Sequence, residues 1–311
     1  IYENKGIPNR VLALSKDEKY LVNASDSSYI EIINLSSPSK PQRVDGHTRF
    51  VNDIKFMPDN SGFITASADK TLRFTNQESG QSKKIVTLPY DLKSIDISPD
   101  GKQLAGVSYG GKVITIDLQN YSYKEIWSDE SMIKLSDSTK SVKVFNRILS
   151  VAWHPSRPLL AFGVEAINDK GKVLRGVVKL FDLQTKKIKE LTGHRSGIAD
   201  LDFSPDGLLL ASSGLDSKLQ MWVVDHEEDL PIVMDNNNGS VWDVVFTKDS
   251  NYLIASCNNG EVRIWPTDPR SLAELVCPKM QRNMTKDEWD SYVGKDIGYE
   301  STCQSLLIKD F

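Results

Sequence analysis

Cysteine is scarce. Three residues, Cys257, Cys277 and Cys303, are too few and too odd in number for a disulfide framework. They read as free thiols in a reducing cytosol, so a cytoplasmic location is expected. No apolar run approaches the ~20 residues of a membrane helix, and no secretory signal opens the chain, so no membrane contact is expected. The chain starts on Ile1 rather than Met, which leads us to expect a longer polypeptide upstream. Lys and Arg are scattered, and the net charge is −4, which disfavours a phosphate-binding surface and hence nucleic acid. There is no CxxC pair, GxGxxG or phosphate-binding loop, and no cofactor is expected. The four histidines (His47, His154, His194 and His226) lack metal-ligand spacing, so no metal is expected either.

What the chain does have is an internal repeat. A strand ending in a turn recurs at 13–18, 55–60, 96–101, 152–157, 202–207 and 245–250. The Pro or Lys of this tag falls at 16, 58, 99, 155, 205 and 248, spacings of 42, 41, 56, 50 and 43. Such intervals match the roughly 40–45 residues of a propeller blade. In most tags a Ser or Thr starts the turn, Pro pre-sets φ, and an Asp is followed by a residue that tolerates the left-handed region. Apolar and then alternating strands follow each tag, as in Leu208–Ser213 and Lys218–Trp222. An all-β propeller of at least six four-stranded blades is expected over 1–268, and a seventh blade from upstream sequence stays open.

The repeats resemble WD repeats. Repeat five is nearest to that pattern, with Gly193-His194, the tag at 202–207, Asp216 and Trp222. In that family a His, a strand Ser, the turn Asp and the Trp form a hydrogen-bonded tetrad within each blade. On this alignment repeat five has His194, Asp216 and Trp222, with Gly214 where the Ser belongs. Repeat two has His47, Ser67 and Asp69, with Thr75 in place of Trp. Repeat six keeps Trp265, with Asn237, Cys257 and Asn259 at the other places, so no tetrad is complete. Repeat four carries extra residues at 165–175, which read as an extended hairpin: either a partner contact or a tolerated insertion.

From Pro269 the alternation stops. A helical extension over 269–311 is expected, with one short helix at 271–277 and another opened by the capping box of Thr285 and Glu288. Trp289 and Tyr292 are expected to pack it on the last blade. This tail resembles the ending of sensor propellers in large bacterial signal-transduction NTPases and caspase-like proteins. The resemblance implies effector domains in the same polypeptide as partners.

Aligning the repeats places Arg10, Phe50, Asn52, Lys93, Tyr109, Arg147, Leu149, Ser240 and Trp242 at the rim of the central opening. Aromatics with Arg are the composition of interface hot spots. We expect Phe50, Tyr109 and Trp242 to anchor a protein or peptide and Arg10 and Arg147 to clamp it; packing between blades is the competing reading. An enzyme in the channel would need converging His or carboxylates, and none is read on the inner strands. The favoured function is therefore a non-catalytic protein-interaction scaffold or sensor, part of a bacterial signalling or defence protein. A stand-alone eukaryotic scaffold subunit is the alternative.

Overall fold

The computed structural model describes residues 9–38, 40–128, 132–134, 141–225, 230–235, 237–268, 277–292, 298–301 and 303. Six antiparallel sheets succeed one another as blades of a propeller. Blade 1 contains β1 (Asn9–Leu14), β2 (Tyr20–Ser25), β3 (Ile30–Asn34) and β4 (Gln42–Val44). Blade 2 contains β5 (Val51–Phe56), β6 (Phe63–Ser67), β7 (Thr71–Thr75) and β8 (Ser82–Thr87). Blade 3 contains β9 (Ser94–Ile97), β10 (Gln103–Val107), β11 (Lys112–Asp117) and β12 (Tyr123–Ser128). Blade 4 has five strands: β13 (Met132–Lys134), β14 (Ser141–Trp153), β15 (Leu159–Asn168), β16 (Val173–Asp182) and β17 (Ile188–Thr192). Blade 5 contains β18 (Ile198–Phe203), β19 (Leu209–Gly214), β20 (Leu219–Val223) and β21 (Ile232–Met234). Blade 6 shows three strands among the described residues: β22 (Val241–Phe246), β23 (Tyr252–Cys257) and β24 (Val262–Pro266). The extra residues of repeat four do form an extended hairpin, with Ala166 opposite Arg175 and Ile167 opposite Val173.

The tags turn each blade's first strand into its second. Ser15, Ser98, Ser204 and Thr247 donate their hydroxyls to Asp17, Asp100, Asp206 and Asp249 at 2.7, 2.6, 2.5 and 2.5 Å. Each Asp also accepts the backbone N–H two residues on, which closes an Asx turn. The residue after the Asp is left-handed in five tags, at Glu18, Asn60, Gly101, Gly207 and Ser250 (φ 60°, 58°, 69°, 75° and 60°). Repeat four has Ser156 at the Asp place, and His154, at the Ser/Thr place, supplies the acceptor instead. His154 Nδ1 accepts the N–H groups of Ser156 and Arg157, both at 3.1 Å. Burial and the neighbouring Arg157 hold that ring's pKa down, which keeps it an acceptor.

Five apolar clusters join consecutive blades. Ala211, Leu219 and Met221 of blade 5, for example, pack on Val241, Val244 and Phe246 of blade 6. Equivalent clusters join blade 1 to 2, 2 to 3, 3 to 4 and 4 to 5. The junction from blade 6 back to blade 1 differs. There Leu12, Val262 and Ile264 are 56%, 67% and 61% exposed, although most of their counterparts elsewhere are buried. The two blades are bridged by Lys248, whose Nζ donates to the Lys16 carbonyl and to the Glu18 carboxylate.

In the tail, α1 (Lys286–Tyr292) starts on the expected capping box. The Thr285 N–H donates to Glu288 Oε2 at 2.8 Å, and the Glu288 N–H donates to Thr285 Oγ1 at 3.3 Å. Trp289 stands edge-on to Tyr299 with centroids 5.5 Å apart. The helix expected at 271–277 and the side chain of Tyr292 lie outside the described residues, apart from Cys277, which opens a 3₁₀ turn to Lys279. The cysteine reading needs correction, because Cys277 and Cys303 form a disulfide. They meet because the Asn283 side chain pairs with the Cys303 backbone in both directions, at 2.9 and 2.8 Å, folding the tail on itself. A count of three could not show this. Cys257 remains a buried free thiol.

Candidate interaction site

The first strand of every blade lines a central channel, so one register position recurs six times around it. The strand pairings put Arg10, Asn52, Lys93, Leu149, Ala199 and Trp242 at that position. All six line one cavity of about 560 Å³ at an end of the channel. The next position toward the tags supplies Val11, Asp53, Ser94, Asp200 and Asp243 to the same cavity. Two residues deeper stand Lys55, Asp96 and Asp202.

The carboxylates of these lower tiers correct the sequence reading that inner strands bring no carboxylates together. Asp53, Asp96, Asp200 and Asp202 all act on the Lys55 ammonium. Burial alone would lower Lys55, and the carboxylates outweigh it, so its pKa rises. Four of the acids stitch one blade to the next through an exposed strand edge. Asp53 accepts the Ile95 N–H at 2.8 Å, and Asp96 accepts that of Trp153 at 2.6 Å. Asp200 and Asp202 accept the N–H groups of Val244 and Phe246 at 3.1 and 2.7 Å. Burial raises the Asp202 pKa to about 7 despite its amide bond. Asp200 is raised well above the usual carboxylate range by burial and by Asp243, with which it shares a hydrogen bond. Sequence inspection passed over these acids because each one, taken singly, looks like an ordinary strand residue.

Of the nine residues expected at the rim, Arg10, Asn52, Lys93, Leu149 and Trp242 line the cavity. Arg10 stacks over Phe50, 4.2 Å from its centroid, and pairs with Asp26 at 2.7 Å. Arg147 sits 4.9 Å from the Tyr109 ring centroid and 3.6 Å from the buried Glu165. Both guanidinium groups therefore already face a carboxylate. Tyr109 and Trp242 are 45% and 55% exposed. Ser240 is not turned to the cavity: its hydroxyl donates to the Leu215 carbonyl at 3.1 Å and ties blade 6 to blade 5.

The internal networks of the blades also need correction. In blade 5 the tetrad is complete, and its hydroxyl is Ser212 rather than a residue at Gly214. His194 Nε2 lies 2.9 Å from Ser212 Oγ, His194 Nδ1 lies 3.0 Å from Asp216, and Trp222 Nε1 donates to Ser212 Oγ at 3.0 Å. In blade 2 the hydroxyl on His47 is Thr65 at 2.8 Å, not Ser67, and His47 Nδ1 is 2.9 Å from Asp69. Ser67 instead donates to the Arg49 and Phe50 carbonyls at 3.1 and 3.0 Å. The ring of the His reaches the middle of the second strand, 18 residues on, whereas Ser67 and Gly214 stand at the strand's end. Asp69 is drawn down to about 2: burial would raise it, but bonds from Thr71, the Thr48 amide and His47 prevail. Blade 6 has Ala255 at the hydroxyl position, so Trp265 packs against apolar neighbours. Asn237, at the His place, donates to the Ser217 and Met234 carbonyls at 3.0 and 2.7 Å.

The model of the family "WD domain, G-beta repeat" matches residues 39–76, 185–223 and 231–266. The chain is 23% identical over 329 residues to Apoptotic protease-activating factor 1 of Homo sapiens, covering 84% of this chain and 25% of that protein. It is 26% identical over 210 residues to Serine-threonine kinase receptor-associated protein of Gallus gallus, covering 67% and 53%. It is 30% identical over 211 residues to Protein HIR1 of Cryptococcus neoformans, covering 62% and 22%. The chain thus spans about a quarter to about half the length of the curated relatives it matches.

Proposed function

Starting from a chain that is a six-bladed propeller of WD repeats, we propose that it is a non-catalytic module that holds other proteins at the mouth of its channel. One observation carries this reading. Six register-equivalent side chains from six blades converge on a single cavity, with Trp242 more than half exposed beside it. An exposed indole at the edge of a concave, partly desolvated site is the arrangement that contributes most per residue to protein contacts. The channel acids do not oppose it, since four of the five accept backbone N–H groups of the next blade and so have a structural task.

We further propose that the propeller serves as the scaffold or sensor part of a larger polypeptide. Its long alignment with a quarter of a much longer relative supports that. The bacterial sensor reading rests on the tail resemblance alone; the relatives named above are eukaryotic and favour the scaffold reading. A cytoplasmic location belongs to the same reading and is opposed by the Cys277–Cys303 disulfide, which favours an oxidising compartment. The test is affinity capture from the source cells with the wild-type chain and with Trp242→Ala. Loss of specific partners from the variant, with unchanged thermal melting, is the expected result. Identical partner sets would refute the channel mouth as the site.

A further inference from the structure

The ring at the channel mouth is divided by chemistry. Blades 1 to 3 place Arg10, Asn52 and Lys93 on one arc, and blades 4 to 6 place Leu149, Ala199 and Trp242 on the other. Arg10 is matched by Asp26, whereas the Lys93 ammonium has neither a hydrogen-bond nor an ion-pair partner among the described residues, Asp91 acting on it only from a distance. It is half-buried, and burial together with the nearby Arg10 holds its pKa below the ordinary lysine value, outweighing the opposite pull of Asp91. Next to it, Asn52 donates its amide to the Leu92 carbonyl at 2.8 Å and to the Asp91 carboxylate at 3.4 Å, while its Oδ1 is buried without a partner. The polar arc therefore offers one cation without an ion-pair contact and one unfilled acceptor, and the apolar arc offers an uncovered indole.

A group that repairs all three must bring a carboxylate, an N–H donor and an apolar flank. Resting on the reading of this mouth as a protein-binding site, we infer that its partner presents an acidic peptide segment, an Asp or Glu next to a large apolar residue. The carboxylate sits between Lys93 and Arg10, the segment's backbone N–H donates to Asn52 Oδ1, and the apolar side chain covers Trp242. The tier beneath fixes the depth of insertion. Asp53, Asp200 and Asp243 line the floor of the same cavity, so a carboxylate is repelled from below and held at the ring. Bringing an anion to Lys93 also restores the ammonium's charge preference, so binding and Lys93 protonation reinforce each other.

Two fluorescently labelled nonapeptides, identical except for a central Glu-Leu-Glu-Leu or Lys-Leu-Lys-Leu, serve as probes in anisotropy titrations of the full chain. The acidic peptide is expected to bind and to weaken as salt rises. Lys93→Glu is expected to weaken it at least about tenfold, the loss of one charge-assisted contact. Lys93→Arg, which keeps the charge, should restore most of the binding, and circular dichroism melts should show each variant folded. Preference for the basic peptide overturns the inference, as does binding of the acidic one untouched by Lys93→Glu. Absence of binding by the acidic peptide to about 1 mM overturns it too. If captured partners are lost with Trp242→Ala yet kept with Lys93→Glu, the mouth remains the site and only the acidic partner is refuted.

Discussion

Replacing Ser212 by Ala removes one oxygen from the centre of blade 5. Ser212 Oγ accepts the Trp222 indole N–H at 3.0 Å and stands 2.9 Å from His194 Nε2, and both rings are buried. Nothing else nearby is described as replacing that oxygen, so two buried polar nitrogens lose their partner. An unsatisfied buried polar group costs about 1–3 kcal/mol, which puts the variant roughly 2–6 kcal/mol below the wild type. In blade 2 the corresponding Thr65→Ala orphans only His47, since Thr75 stands where Trp222 does, and about half that loss is expected. Urea denaturation monitored by circular dichroism measures both. A cycle with Trp222→Phe isolates the indole's share, since the coupling between Ser212→Ala and Trp222→Phe should be about 1 kcal/mol or more. If Ser212→Ala shifted stability by less than about 0.5 kcal/mol, or matched Thr65→Ala, the network would be dispensable and the reasoning wrong.

Four further outcomes are expected. Leu219→Ala should destabilise by about 2–5 kcal/mol, because Leu219 is fully buried between blades 5 and 6. Ile264→Ala, on the uncovered face of blade 6, should stay within about 0.5 kcal/mol; equal losses in the same denaturation assay would mean that the face is covered in solution. Asp202 has a folded pKa of about 7, raised above its unfolded value, so its contribution is full below about pH 4 and disappears as pH rises through 7. Between pH 5 and 8 the wild type should lose on the order of 2–4 kcal/mol from this group, and Asp202→Asn should flatten the curve; parallel pH profiles would exclude it. Thiol titration of the unfolded, unreduced chain should find Cys257 alone, with all three cysteines reacting after reduction; three reactive thiols before reduction would contradict the disulfide.

The six turn tags were legible in the sequence because their chemistry is local. Ser98, Asp100 and Gly101 complete a turn among themselves, and the alternating strands after it report one buried face. The capping box of Thr285 and Glu288 was legible for the same reason, being confined to four consecutive residues. Reading the tetrads failed by one side chain on the same strand face. Position along a strand decides whether a hydroxyl reaches the His, and Thr65 and Ser67 cannot be told apart by type.

The sequence by itself determined that six copies of one hairpin-rich unit follow each other, since spacing and turn chemistry repeat along the chain. It also brought Arg10, Asn52, Lys93, Leu149 and Trp242 to the rim, but not Ala199. Only the tertiary structure decided what those positions add up to. The ring brings residues some forty apart within reach, so that Arg10, Asn52 and Lys93 form one polar arc, and Leu149, Ala199 and Trp242 the apolar one. It also gathers the acids around Lys55, where burial shifts their protonation, and leaves the junction of blades 6 and 1 uncovered. Desolvation and charge proximity depend on distance in space, and a linear sequence with scattered acids does not carry that distance.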